Sequence, residues 1–163
     1  MFYLSKQNNT DQLEIYLDFL KNFFSKKKFQ SNNELICESI FDYNYLISNF
    51  PKYKININII CIEKYFSKKI ILNKNDKIKF RKIIKKKNYQ LINKNYNEDD
   101  LSKICKILYD QLKLQILKNK IKFVILNQGN GVFQSAIVVL LQEICDLLKI
   151  KLIMPFTSPI KGR

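Results

Sequence analysis

Apolar positions first fall into helical order between Asp11 and Phe24, where Leu13, Leu17, Leu20 and Phe24 recur three and four residues apart. That period puts them on one face of a helix, with Thr10 or Asp11 as its N-cap. Lys26-Lys-Lys28 breaks the pattern, Ser31 to Ser48 reads as a second helix or a pair of strands, and Pro51 closes the region. From Lys54 to Ile62 the period becomes two, with Ile55, Ile57 and Ile59 on one face and Asn56 and Asn58 on the other. Tyr65-Phe-Ser67 reads as a turn and Lys68-Lys-Ile-Ile-Leu72 as a returning strand, so 52–72 is expected to be a hairpin. A basic loop follows from Asn73 to Asn97. Asn97-Glu-Asp-Asp100 then opens a helix to about Lys118, with Leu101, Ile104, Cys105, Leu108, Leu112 and Ile116 facing the core. The chain continues as a strand (Ile121 to Leu126), a glycine turn (Asn127 to Gly131) and a helix (Val132 to Lys149). A strand (Ile150 to Met154) and a basic tail complete it.

These elements predict an α/β domain over residues 52–163: a compact mixed sheet flanked by two helices, with parallel pairing across the two helical crossovers. Residues 1–51 read as a partly helical N-terminal extension. Their aromatic content (Phe19, Phe23, Phe24, Phe41, Tyr43, Tyr45) suits a protein contact.

Charge sharpens the division. The chain of 163 residues carries a formal net charge of +15. Residues 1–51 hold five lysines against six acids, residues 52–94 fourteen basic residues against two acids, and residues 95–163 ten against six. A block this basic is unfavourable as a bare surface and favourable against phosphates, where counterion release drives binding. It interleaves Lys77, Lys79, Arg81, Lys82, Lys85, Lys86 and Lys87 with Phe80, Ile83, Ile84 and Tyr89. Phe80 and Tyr89 either stack on unpaired bases or pin the loop to the core.

The four cysteines, Cys37, Cys61, Cys105 and Cys145, form no Cys-x-x-Cys pair, and the chain has no histidine. Buried reduced thiols are expected, with no metal and no cofactor. No apolar stretch reaches the roughly 18–20 residues needed to cross a bilayer. Met1-Phe-Tyr-Leu4 has neither the charged start of a signal peptide nor an Arg-rich presequence. The 27 lysines, 18 asparagines and 25 isoleucines fit an AT-rich coding sequence, so synthesis inside a mitochondrion, or alternatively a plastid, is expected.

A strand, a glycine turn and a helix place backbone N–H groups where an anion is favoured. The stretch that does so here also resembles a known family, the universal ribosomal protein S-eleven of the small subunit. The resemblance rests on Gly129-Asn-Gly131, Ser135-Ala-Ile137 with Leu140, the strand to Met154, and Thr157-Ser-Pro159-Ile160 with Gly162-Arg163. The family's tail His-Asn and Cys are absent, and Val132 and Phe133 replace the basic residue after the turn. In the family a hairpin precedes a glycine-rich basic loop; here Lys79-Phe-Arg-Lys82 is the nearest echo, without the glycines.

The resemblance implies a ribonuclease-H-like fold that holds ribosomal RNA on the small-subunit platform, near the messenger exit and the E site, beside neighbouring platform proteins. It implies no enzyme activity, no small-molecule substrate and no membrane. The expected RNA-binding residues are Lys68, Lys69, Lys74, Lys77, Lys79, Arg81, Lys82, Lys85, Lys86 and Lys87 in the basic block. Asn127, Gly129, Asn130 and Gly131 join them at the turn, and Lys161 and Arg163 in the tail. The large-subunit protein L-eighteen, a binder of five-S RNA, is the alternative within the ribosome. A metal-dependent nuclease would instead need Glu63, Asp76, Glu98, Asp99 and Asp100 to converge, although the last three are explained by helix capping.

Overall fold

The computed structural model describes residues 1–4, 6, 7, 9–25, 33–66, 70–85, 97–119, 121–127 and 136–153. In chain order the elements are β1 (Phe2–Leu4), α1 (Thr10–Ser25), β2 (Glu34–Cys37), α2 (Ile40–Tyr53), β3 (Asn58–Cys61) and the single turn α3 (Glu63–Phe66). Then come α4 (Lys74–Lys85), α5 (Glu98–Asn119), β4 (Phe123–Asn127), α6 (Ala136–Leu148) and β5 (Lys151–Ile153).

Four helices begin the same way. A polar side chain precedes the helix and accepts a backbone N–H three residues on: Asn9 from Gln12, Ser39 from Asp42, Asn73 from Asp76 and Asn97 from Asp100. Each such cap satisfies an orphan donor, and the three aspartates complement the helix dipole. Asn97 caps α5 as the sequence predicts, whereas α1 is capped by Asn9 rather than Thr10 or Asp11. Pro51 does not close the region. It lies inside the last turn of α2, which ends with Lys54 in the left-handed conformation at φ 55°.

The strands form a five-stranded sheet in the order β3-β2-β1-β4-β5, and every pair is parallel. The expected mixed sheet is therefore corrected to an all-parallel one. Parallel neighbours need helical crossovers, and those crossovers cover both faces. Phe2, Leu4, Leu35, Cys37, Cys61 and Ile125 point to the layer of α1 and α2, with Leu13, Leu17, Leu20, Leu46 and Phe50. Tyr3, Ile36, Ile62, Val124 and Leu126 point the other way, to α4, α5 and α6. The alternation along each strand is the period of two.

Two further expectations change. The described residues of 52–72 form no hairpin: of the Ile/Asn alternation only Asn58–Cys61 is a strand, β3. Among the described residues it pairs with β2 alone, as suits an edge strand with Asn58 exposed, and the chain leaves it through α3. Nor are residues 1–51 an extension. β1 is the central strand, hydrogen-bonded to β2 on one side and β4 on the other, and the chain does not divide at residue 51, which lies inside α2.

Two outcomes are expected. Phe2→Ala should cost about 3–5 kcal/mol, the usual loss for a buried phenylalanine. A fragment of residues 52–163 should show no cooperative thermal transition by circular dichroism. A fragment melting as sharply as the whole chain would contradict the placement of β1.

Candidate nucleic-acid interface

Of the expected basic loop, Lys74–Lys85 is a helix, and residues 86–96 lie outside the described residues. Asn73 caps α4 at 2.8 Å from the Asp76 amide. Phe80 and Ile84 are buried against α5 and α6, and Phe80 meets the Tyr109 ring edge-on at 6.0 Å. Phe80 therefore pins the segment to the core and is not free to stack on a base. Tyr89 lies outside the described residues.

The opposite side of α4 is basic. Lys74, Lys77, Arg81, Lys82 and Lys85 are all exposed, and helical spacing puts them on one stripe around Ile78, itself 50% exposed. Arg81 is partly committed, its Nε 3.0 Å from Glu98 Oε1 at the start of α5. Lys79 turns aside, its ammonium 3.6 Å from the Tyr109 ring centroid, a cation–π contact. Four lysines on the stripe are thus left facing water: Lys74, Lys77, Lys82 and Lys85. Lys82 and Lys85 suit the helix C-terminus, but Lys74 and Lys77 sit near its N-terminus, where the dipole disfavours a cation.

Of the other expected contacts, Asn127 ends β4 opposite Leu4 of β1. It stands at the carboxyl edge of the sheet, where the strand order reverses between β1 and β4; in open parallel sheets that crevice is where ligands bind. Lys68, Lys69, Lys86, Lys87, Gly129, Asn130, Gly131, Lys161 and Arg163 lie outside the described residues.

The same edge carries a polar network that the sequence reading missed. Tyr3 Oη donates to buried Glu38. The Gln7 amide donates to Asp42 at 2.9 Å, and Asp42 is fully buried. Glu63 accepts from the Ile40 amide at 2.8 Å and lies 4.0 Å from Lys6. These bonds tie together the segments that leave β1, β2 and β3. Ser39-x-x-Asp42, a helix-start pattern, was the available signal.

The carboxylates that a nuclease would need are dispersed among separate partners. Asp76 pairs with Lys106 at 3.4 Å, Glu98 with Arg81, and Asp100 with Lys103 at 3.5 Å. Among the described residues, no three His, Cys, Asp or Glu side chains are grouped to hold a metal ion. No helix among them is long and apolar enough to cross a membrane.

Burial raises the Glu38 carboxyl above its ordinary value, against the bond from Tyr3. A carboxyl raised on folding favours the folded state in acid, and that contribution is lost as pH rises through the folded value. Glu38→Gln keeps an acceptor for Tyr3 without the charge. Its stability relative to the parent should therefore improve between pH 4 and pH 8, as followed by urea unfolding. A pH-independent difference would contradict a buried, charged Glu38.

Comparison with protein-family models, with curated proteins and with solved structures finds no match to this chain.

Proposed function

We propose that the chain is a structural, non-catalytic RNA-binding protein that uses α4 as its phosphate-contacting face. The observation that carries this reading is the exposed stripe of Lys74, Lys77, Lys82 and Lys85. Like charges three and four residues apart repel along a helix, and two of these lysines also oppose the helix dipole. Such a stripe costs the free protein stability and is relieved by a polyanion. With Lys79 held on Tyr109, Arg81 shared with Glu98 and Phe80 buried, the face offers ammonium groups for backbone phosphates, which position an RNA without reading its bases.

The specific setting proposed is ribosomal RNA of the mitochondrial small-subunit platform, near the messenger exit and the E site, with neighbouring platform proteins. It rests on the likeness of residues 129–163 to the S-eleven family. The order α5, β4, α6, β5 supports it by matching the helix–strand–helix–strand end on which that likeness was drawn. The parallel first half of the sheet departs from the hairpin the family would supply, so the ribonuclease-H-like comparison extends to that end alone.

Replacing Lys74, Lys77, Lys82 and Lys85 together by serine tests the face. Affinity for a structured RNA, measured by fluorescence anisotropy across a salt series, should fall at least tenfold. The slope of log affinity against log salt should flatten by roughly three, at about 0.7–0.9 per phosphate contact. An unchanged slope with intact folding would rule α4 out as the RNA face.

A further inference from the structure

Two of the four cysteines stand opposite one another. Cys37 ends β2, Cys61 ends β3, and the parallel register makes them Cα partners. Adjacent strands lie about 4.7–4.9 Å apart and paired side chains leave the same face. Both thiols therefore enter the core beneath α1 and α2, at 0% and 2% exposure. A disulfide spans Cα atoms roughly 4.4–6.8 Å apart, and the register puts this pair within that range. Both are free thiols. Cys37 Sγ lies 3.9 Å from the Ser39 carbonyl oxygen and Cys61 Sγ 3.8 Å from that of Glu38, which places the two sulfurs beside the same stretch of backbone.

The two are also unequal. The closeness of the two sulfurs raises the Cys37 thiol and lowers Cys61 to about 7, so Cys61 is the readier thiolate. Cys105 and Cys145 differ: they sit on α5 and α6 in the other core, and burial pushes both up to about 12. Among the described residues β3 is an edge strand with one neighbour. Local opening of such an edge is the least costly route by which a small molecule reaches the pair.

We propose that Cys37 and Cys61 form a peroxide-responsive dithiol that closes to a disulfide between β2 and β3. The Cys61 thiolate attacks one oxygen of hydrogen peroxide, the O–O bond breaks, and the departing hydroxide takes up a proton to leave as water. Cys61 is then a sulfenic acid. The Cys37 sulfur attacks Cys61 Sγ, the S–O bond breaks, and the thiol proton leaves with the hydroxyl as a second water. Two thiols are oxidised by two electrons and one peroxide is reduced. The bond clamps the edge strand to its neighbour directly below Glu38 and Ser39, and so fixes the segments that the carboxyl-edge network ties together.

The folded protein treated with hydrogen peroxide, alkylated and digested without reductant tests this directly. The expected product is a Cys37 peptide joined to a Cys61 peptide, two hydrogens lighter than their sum. Two of the four free thiols should be lost and then restored by dithiothreitol. In Cys37→Ser the Cys61 sulfenic acid should persist and be trapped by dimedone, whereas Cys61→Ser should leave Cys37 reduced. Full alkylation of Cys37 and Cys61 in peroxide-treated, unfolded wild-type protein would overturn the proposal. So would a linkage through Cys105 or Cys145 instead. The wild-type peptide map decides the matter even where a variant fails to fold.

Discussion

Everything in this molecule is organised around a strand three residues long. β1 is hydrogen-bonded on both edges, to β2 through Phe2, Tyr3 and Leu4 and to β4 through the same residues. Its side chains are buried on both faces, Phe2 and Leu4 under α1 and α2, Tyr3 under the α4–α6 layer. A strand in that position is apolar apart from polar atoms that find a partner, and the Tyr3 hydroxyl finds Glu38. Where β1 sits also decides where the sheet turns back. β2 and β3 build outward on one side, β4 and β5 on the other, and the polar ends of the strands gather at one edge.

That edge and the outer side of α4 divide the chemistry between them. At the edge Glu38, Asp42 and Glu63 are occupied by Tyr3, Gln7, Lys6 and the Ile40 amide, an arrangement that joins loops. On α4 the reverse holds: the apolar side is satisfied by α5 and α6, and among the described residues no carboxylate lies within ion-pair reach of the four lysines. The carboxylates of one surface are hydrogen-bonded within the fold, and the lysines of the other are left exposed. A polyanion is the partner that such a contrast favours.

How much of this was legible in the sequence depended on length and on contrast. The long helices were readable because Leu13, Leu17 and Leu20, and Leu101, Ile104, Leu108 and Leu112, repeat over several turns. Met1-Phe-Tyr-Leu4 was not, because four apolar residues carry no period, and an interior parallel strand shows no alternation of polar and apolar. The Ile/Asn alternation from Lys54 to Ile62 marked a strand of which only Asn58–Cys61 forms, and it could not say that the partner lay earlier in the chain. α4 was readable and was missed: Asn73-x-x-Asp76 is the same start signal as Asn97-x-x-Asp100, and Phe80 with Ile83 and Ile84 supplies the apolar side. Dense lysines on the other side masked it. The cysteine spacing gave no warning that Cys37 and Cys61 become neighbours, since only strand register brings them together.

The proposed seating of α4 on ribosomal RNA is tested most directly by crosslinking within isolated ribosomes. Short-range crosslinking followed by sequencing of the attached RNA should recover small-subunit platform RNA joined to peptides containing Lys74, Lys77, Lys82 or Lys85. Crosslinks from those lysines to five-S RNA, or to protein alone, would contradict it.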